Sequence, residues 1–406
     1  MIRILLVAVV VTSASCTGPS KTGQEARQRA YERMDLVNAD LASQQARQQF
    51  EVGQLDAAVK TIDAAIARFT NKSEYHLLRG RILLEQHRLD GARMAFETAA
   101  TLNPDSAETH YLLGVLHQRW SDDEAALRSY TTACENNPSH AQFFIAKAET
   151  LAALDRTDEA IALLTGDHQF QHQAAVPALL GQIYLRRGNP EVAARYLSDS
   201  RSLGNDNPIL FADLAMAEFN AGLYAECLMT LRELELNAKQ GLTPLQQRIQ
   251  GKCLVSTGRL VQGRDICLII TRKTPQDADA WVDLGFIAWK MGDYRRLLTC
   301  GEEISQLAPS RWEGPLFVGK GALEAGNAAL TATSFAQARA LADDDELKEW
   351  IAAAADHASR KTAAVLEEAP NMVTDTAESA FEELIRGLAE GSLPMVTVPQ
   401  DTPLQP

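Results

Sequence analysis

A 34-residue period constrains this chain more than any other feature. Proline recurs at Pro104 and Pro138, and again at Pro275 and Pro309, 34 residues apart within each pair. With proline set as position 32, position 8 is Gly80, Gly114, Gly181, Gly251, Gly285 and Gly319, or alanine at Ala46, Ala148 and Ala215. Position 15 is glycine at Gly53, Gly188, Gly222, Gly258, Gly292 and Gly326. Position 20 is small at Ala58, Ala92, Ala126, Ala160, Ala193, Cys227 and Gly263, with Leu297 and Thr331 in the last two units. Position 24 is mostly bulky (Ile62, Phe96, Tyr130, Leu164, Leu197, Leu231 and Phe335), with Cys267 and Gly301 as departures. This pattern predicts two helices per unit. Small residues at 8 and 20 let the helices approach, and the large residue at 24 fills the space between units. Glycine at 15 accepts the left-handed turn between helices, and proline at 32 stops the second one. The period divides residues 39–345 into units 39–72, 73–106, 107–140, 141–173, 174–207, 208–243, 244–277, 278–311 and 312–345.

The repeat is similar to the tetratricopeptide repeat (TPR) family, whose unit carries Trp, Leu-Gly and Tyr in its first helix and Ala, Phe, Ala and Pro around the second. Trp281-Val282-Asp283-Leu284-Gly285 is the nearest match to its opening. The resemblance implies an all-α, right-handed superhelix of about nine helix-turn-helix repeats spanning 24–345, closed by a capping helix over 346–368, as solenoids require. Residues 24–38 are expected to extend the first helix.

In such repeats the concave face is lined by first-helix positions 2, 5, 9, 12 and 13, and it binds protein segments. Carried over, the early units contribute Asp40, Arg47, Glu51, Glu74, Arg81, Glu85 and Arg119. The middle units contribute Ile145, Ala152, Ala178, Leu185, Met216 and Phe219, with Arg186 beside them. Later units add Arg248, Lys252, Val282, Phe286, Trp289 and Lys290. The expected partner groove comprises Leu185, Arg186, Met216, Phe219, Arg248, Lys252, Phe286, Trp289 and Lys290. Apolar patches rimmed by charge mark interaction sites, so a peptide bearing apolar and acidic residues is the expected ligand. No three consecutive units show the Lys/Asn carboxylate clamp of chaperone-binding members, so capture of chaperone C-termini is not expected.

The two ends read differently from the repeats. Arg3 precedes an apolar run from Ile4 to Val11 and then Thr12-Ser13-Ala14-Ser15-Cys16, the plan of a secretory signal over 1–15. The run falls short of the ~20 residues that a membrane span needs. Ser13-Ala14-Ser15-Cys16 resembles a bacterial lipobox, with Ser13 where Leu is usual, which implies lipidation of Cys16. Ordinary cleavage near Ala14 or Ser15 is the alternative. Residues 16–23 read as a flexible tether. By resemblance to lipoproteins, Thr17 favours the outer membrane, with the repeats facing the periplasm, or a secreted or periplasmic soluble chain if Cys16 is not lipidated. At the other end, 369–406 holds a short amphipathic segment with Ala377, Phe381, Leu384, Ile385 and Leu388 on one stripe, followed by a proline-rich tail expected to be disordered.

Little points to catalysis. A net charge of −14 argues against a surface that neutralises phosphates, so nucleic acid is excluded as an expected partner. Cys16, Cys134, Cys227, Cys253, Cys267 and Cys300 include no CxxC pair and no zinc-finger spacing, so neither metal nor cofactor is expected. The last four read as packing thiols, with one disulfide among them left open. Gly314-Pro315-Leu316-Phe317-Val318-Gly319-Lys320-Gly321 nearly spells a P-loop but has Gly321 where Ser or Thr binds magnesium, and it lies inside a first helix. His168 and His172 read as a solvated loop, and His110 and His117 as core residues. There is no GxSxG, HExxH or dinucleotide motif. The expectation is a non-enzymatic scaffold or adaptor of an envelope complex (pilus or secretion, outer-membrane or cell-wall machinery). The alternatives are a small-ligand or glycan-binding module, or a non-catalytic subunit of an envelope enzyme complex.

Overall fold

The computed structural model describes residues 21–166, 170–237 and 241–366, with side chains to 360. The stretch 1–20 with Cys16, residues 367–406 and His168 lie outside the described residues. Among the described residues the chain is all-α, with nineteen helices and no strand.

The chain divides into two units, Met1–Ala160 and Ile161–Pro406. Unit 1 holds α1 (Lys21–Glu51), α2 (Leu55–Arg68), α3 (Ser73–Glu85), α4 (Leu89–Leu102), α5 (Ala107–Arg119), α6 (Asp123–Asn136) and α7 (Ala141–Ala153). The division falls within α8 (Thr157–Gly166). Unit 2 continues with α9 (Ala175–Arg186), α10 (Pro190–Ser202), α11 (Pro208–Asn220), α12 (Tyr224–Asn237), α13 (Pro244–Ser256) and α14 (Leu260–Lys273). It ends with α15 (Ala278–Lys290), α16 (Tyr294–Leu307), α17 (Glu313–Glu324), α18 (Ala328–Leu341) and α19 (Asp345–Leu366). Helices pack in antiparallel pairs, α1 on α2, α3 on α4 and α5 on α6 in unit 1, and α9 on α10 through α17 on α18 in unit 2. One part of the expected tether is helical: α1 already includes residues 21–23. Exposed pairs one turn apart run along its early turns, with Glu25 paired to Arg29 and Gln28 donating to Glu32.

Helix starts follow the repeat. Ser106, Asn207, Thr243 and Asp277, each the last residue of a unit, accept hydrogen bonds from the backbone of the next first helix. At Thr243 a full capping box with Gln246 stands next to Pro244. Asp122, Asp293 and Asn327 cap second helices in the same way.

The position-8 glycines are contact points. A Cβ at Gly80 would lie 2.3 Å from the buried Phe96 ring, at Gly114 2.4 Å from Tyr130, and at Gly181 2.5 Å from Leu197. In each, position 24 of the same unit presses on position 8. Unit 278–311 departs from this rule because its position 24 is Gly301. Phe317, from the first helix of the next unit, fills the space instead, 2.3 Å from where a Gly285 Cβ would stand. The same absence lets α16 and α17 touch through backbone, with Gly301 against the Gly314 carbonyl. The glycines of the P-loop look-alike therefore belong to a helix–helix contact inside α17.

In three repeats a ring at position 4 ties the first helix to the turn before it. His76, His110 and Trp281 donate a ring N–H to the carbonyls of Thr70, Pro104 and Pro275 at 2.9, 2.8 and 2.9 Å. His110 and His117 are only half-buried, which corrects their expected core placement. The ring of His110 turns outward to reach its carbonyl, and that of His117 leans edge-on against Trp120. Cys134, Cys227, Cys253, Cys267 and Cys300 are buried free thiols.

Candidate functional site

The first helices of unit 2 touch in succession, α9 to α11, α11 to α13, α13 to α15 and α15 to α17, and together present one face. Along it, position 9 of one repeat meets position 6 of the next, and the chemistry of that slot changes from step to step. Gln182 donates to Asp213 at 2.8 Å, Lys252 pairs with Asp283 at 3.2 Å, and Phe286 meets Phe317 edge-on with ring centroids 5.1 Å apart. Burial raises the Asp213 carboxyl above the usual range, against the opposing pull of the Gln182 hydrogen bond and the Arg186 charge.

The charged step is the most built. Arg248 and Lys252, one turn apart on α13, both close on Asp283, whose side chain is only 6% exposed. Arg248 donates to Asp283 at 2.8 Å and reaches Asp279 at 3.3 Å. Arg311, in the turn before α17, bonds Asp279 and pairs with Glu313 at 2.6 Å. Burial pushes Asp279 up, but the Arg311 hydrogen bond and the charges of Arg248 and Arg311 outweigh it and hold the carboxyl low. Three cations and three carboxylates thus balance across three repeats. Arg248 and Lys252, expected as cations of the partner groove, both neutralise a carboxylate buried within the stack.

The other sequence-chosen residues fall into two sets. Leu185, Phe219 and Trp289 are buried at 8%, 6% and 7% exposure, so they pack repeats together rather than lie open to a ligand. Trp289 stands edge-on to Phe317, and the Lys320 ammonium lies 6.0 Å from its ring centroid. Met216 and Phe286 are half-buried on the face, while Arg186 and Lys290 are exposed. Two residues that the sequence reading passed over are the open apolar ones. Ile209 and Leu245, at position 2 of adjacent first helices, are 43% and 40% exposed. Their signal was present, since position 2 belongs to the same set of five and both are large aliphatics.

In unit 1, two sets of polar side chains pair between successive first helices. Tyr75 donates to Asp40 at 2.6 Å, with Lys72 on the same carboxylate, and Arg81 pairs with Glu108 at 3.1 Å. Among the described residues no group of His, Cys, Asp and Glu is arranged to hold a metal ion, and no helix is long and apolar enough to cross a membrane.

Comparison with known proteins adds family information for part of the chain. A tetratricopeptide repeat family model matches residues 43–107, 77–127 and 111–166. Tetratricopeptide repeat protein 8 of Caenorhabditis elegans is 24% identical over 187 residues, covering 46% of this chain and 37% of that protein, so the chain spans little more than a third of its relative's length. Among solved structures, that of Pseudomonas aeruginosa pilF matches at 18% identity and a TM-score of 0.43, over 50% of this chain and 92% of that one. The structure of YrrB, a TPR protein with an unusual peptide-binding site, matches at 19% identity and a TM-score of 0.38, over 47% and 95%. Residues 43–166 thus match the tetratricopeptide repeat family, within a chain that is all-helical among the described residues.

Proposed function

We propose that the first-helix face of unit 2 holds a segment of a protein partner, and that the chain acts as a non-enzymatic scaffold or adaptor. Tetratricopeptide repeats generally mediate protein–protein interaction. The observation that carries the reading is the pair of open aliphatics, Ile209 and Leu245, at the same repeat position on α11 and α13, two first helices that touch each other. Apolar side chains of the partner lie against the pair, and its polar groups meet the exposed edge of the Arg248–Asp283–Asp279 network at Asp279. We further propose that the chain is exported and anchored through a lipid on Cys16, which places the repeats at an envelope complex. The Ser13-Ala14-Ser15-Cys16 stretch supports that part.

Affinity capture from native membranes tests the adaptor reading. Wild type is compared with Ile209→Asp/Leu245→Asp, whose substituted side chains are exposed and leave the cores intact. A partner retained by wild type and lost by the variant is the expected result. Equal retention by both, or a thermal shift with a small ligand and no co-purifying chain, overturns it. Variants of Arg248, Lys252 or Trp289 cannot serve here, because they disturb the buried Asp283 or the core. The mass of the mature N-terminus tests the anchor. A diacylglyceryl adduct on Cys16, absent in Cys16→Ser, is expected, and an unmodified N-terminus near residue 15 refutes it.

A further inference from the structure

A second surface lies at the end of unit 2. Helices α18 and α19 border a groove of about 850 Å³. Phe335 and Ile351 form its floor, and Ala332, Ala336, Ala352 and Ala355 its small-residue walls. The rim carries Arg339 and Lys348 at the end near the α18–α19 turn and Asp356 toward the other end. The groove has a structural meaning. Helix α19 follows α18 and touches α17 just as α17 touches α15, so it occupies the place of a first helix. Helices α11, α13, α15 and α17 are each packed by the second helix of their own repeat. Among the described residues α19 has no such helix beside it.

We infer that residues 375–388 of the same chain dock in this groove as an amphipathic helix and serve α19 as its second helix. Three observations favour this occupant. Ala377, Phe381, Leu384, Ile385 and Leu388 recur at helical spacing, so one face of such a helix is apolar and matches walls of alanine that admit a close approach. A helix of that length is roughly 20 Å long at 1.5 Å per residue, comparable to the roughly 18 Å of α18 between Ala328 and Ala340 that line the groove. Charge agrees as well: Asp375, Glu378, Glu382 and Glu383 outnumber Arg386 in the segment, and Arg339 and Lys348 stand on the rim.

Connectivity decides between this segment and a partner. Leu366 ends α19 about 10 Å beyond Ser359, the last groove residue on that helix. Residues 367–374 reach as much as roughly 26 Å when extended, which is ample for the chain to double back along α19. A link that short holds the segment at an effective concentration on the order of millimolar, well above that of a free competitor. This docking is independent of the partner face on α11 and α13.

Hydrogen exchange of the full-length chain tests it. In wild type, amides of 377–388 are expected to exchange at least tenfold slower than an unstructured peptide of that sequence. Phe381→Asp/Leu384→Asp, which changes no described residue, is expected to abolish that protection while α9–α17 keep theirs. Arg339→Glu/Lys348→Glu is expected to lower it at least threefold, with recovery on adding Glu382→Lys/Glu383→Lys. Exchange at the unstructured rate in wild type overturns the inference, as does protection that survives the Phe381/Leu384 variant. Protection that rises with protein concentration alongside a dimeric mass by light scattering also overturns it, since the segment then sits on a second copy.

Discussion

Nine turns between paired helices share one backbone conformation, yet three of them use residues that favour it less than glycine. Gly53, Gly188, Gly222, Gly258, Gly292 and Gly326 have φ between 68° and 79°, and His87, Ser121 and Asp155 take the same turn position at 57°, 57° and 60°. The six glycines were legible in the sequence; the other three follow because the hairpin geometry is set by the helices on either side. A left-handed L-residue costs about 1–2 kcal/mol, and glycine returns part of that through the freedom of its unfolded chain. His87→Gly and Ser121→Gly are therefore expected to raise unfolding stability by about 0.5 kcal/mol each, read from the urea midpoint. Titration gives a second test at this scale. Burial pushes Glu149 to about 7, and burial, with Glu226 and Glu233 nearby, pushes Glu218 to about 7. Both carboxyls bind protons more tightly in the folded chain than in the unfolded one. Their share of stability is therefore full below about pH 4.5 and is lost as pH rises to about 7. Glu218→Gln is expected to stabilise the protein by about 1–3 kcal/mol at pH 8 and to leave pH 4 stability nearly unchanged; equal gains at both pH values would contradict the assignment.

At the scale of helices, the period reveals contacts within a repeat better than contacts between repeats. Gly80 against Phe96 and Gly114 against Tyr130 follow from positions 8 and 24 alone, because both residues belong to one hairpin. Gly301 breaks the rule, and nothing in the spacing says that Phe317 of the next repeat fills the space. Likewise Arg248 and Lys252 look like a cationic rim until α15 brings Asp283 against them. A repeat pattern fixes where side chains emerge, but which neighbour occupies shared volume depends on the sizes and charges of both repeats. Two variants probe this layer. In Gly301→Ala the added Cβ would lie 2.7 Å from the Gly314 carbonyl oxygen, and since backbone cannot yield cheaply a loss of about 1–3 kcal/mol is expected. Lys252→Met leaves Asp283 with Arg248 alone and is expected to cost up to about 3 kcal/mol, much of it recovered when Asp283→Leu removes the buried charge. Additive losses in the double variant would show that the two residues do not depend on each other.

Across the whole molecule, the two units carry the same repeat with different surfaces. In unit 1, Asp40 pairs with Lys72 and Tyr75, and Arg81 with Glu108, between successive first helices. In unit 2 Arg248 and Lys252 are spent on the buried Asp283, and Ile209 and Leu245 at position 2 are left open. Selection for folding alone gives no reason to keep Ile209 and Leu245 exposed at the same position of two touching first helices, whereas a bound segment does. A photocrosslinking residue placed at position 245 and, separately, at Met229 tests this most directly. Met229 is 60% exposed on the second helix α12, away from the first-helix face. Illumination in native membranes is predicted to yield a partner adduct from position 245 and none from position 229. Adducts from 229 but not 245, or from neither, would contradict the assignment of the partner face.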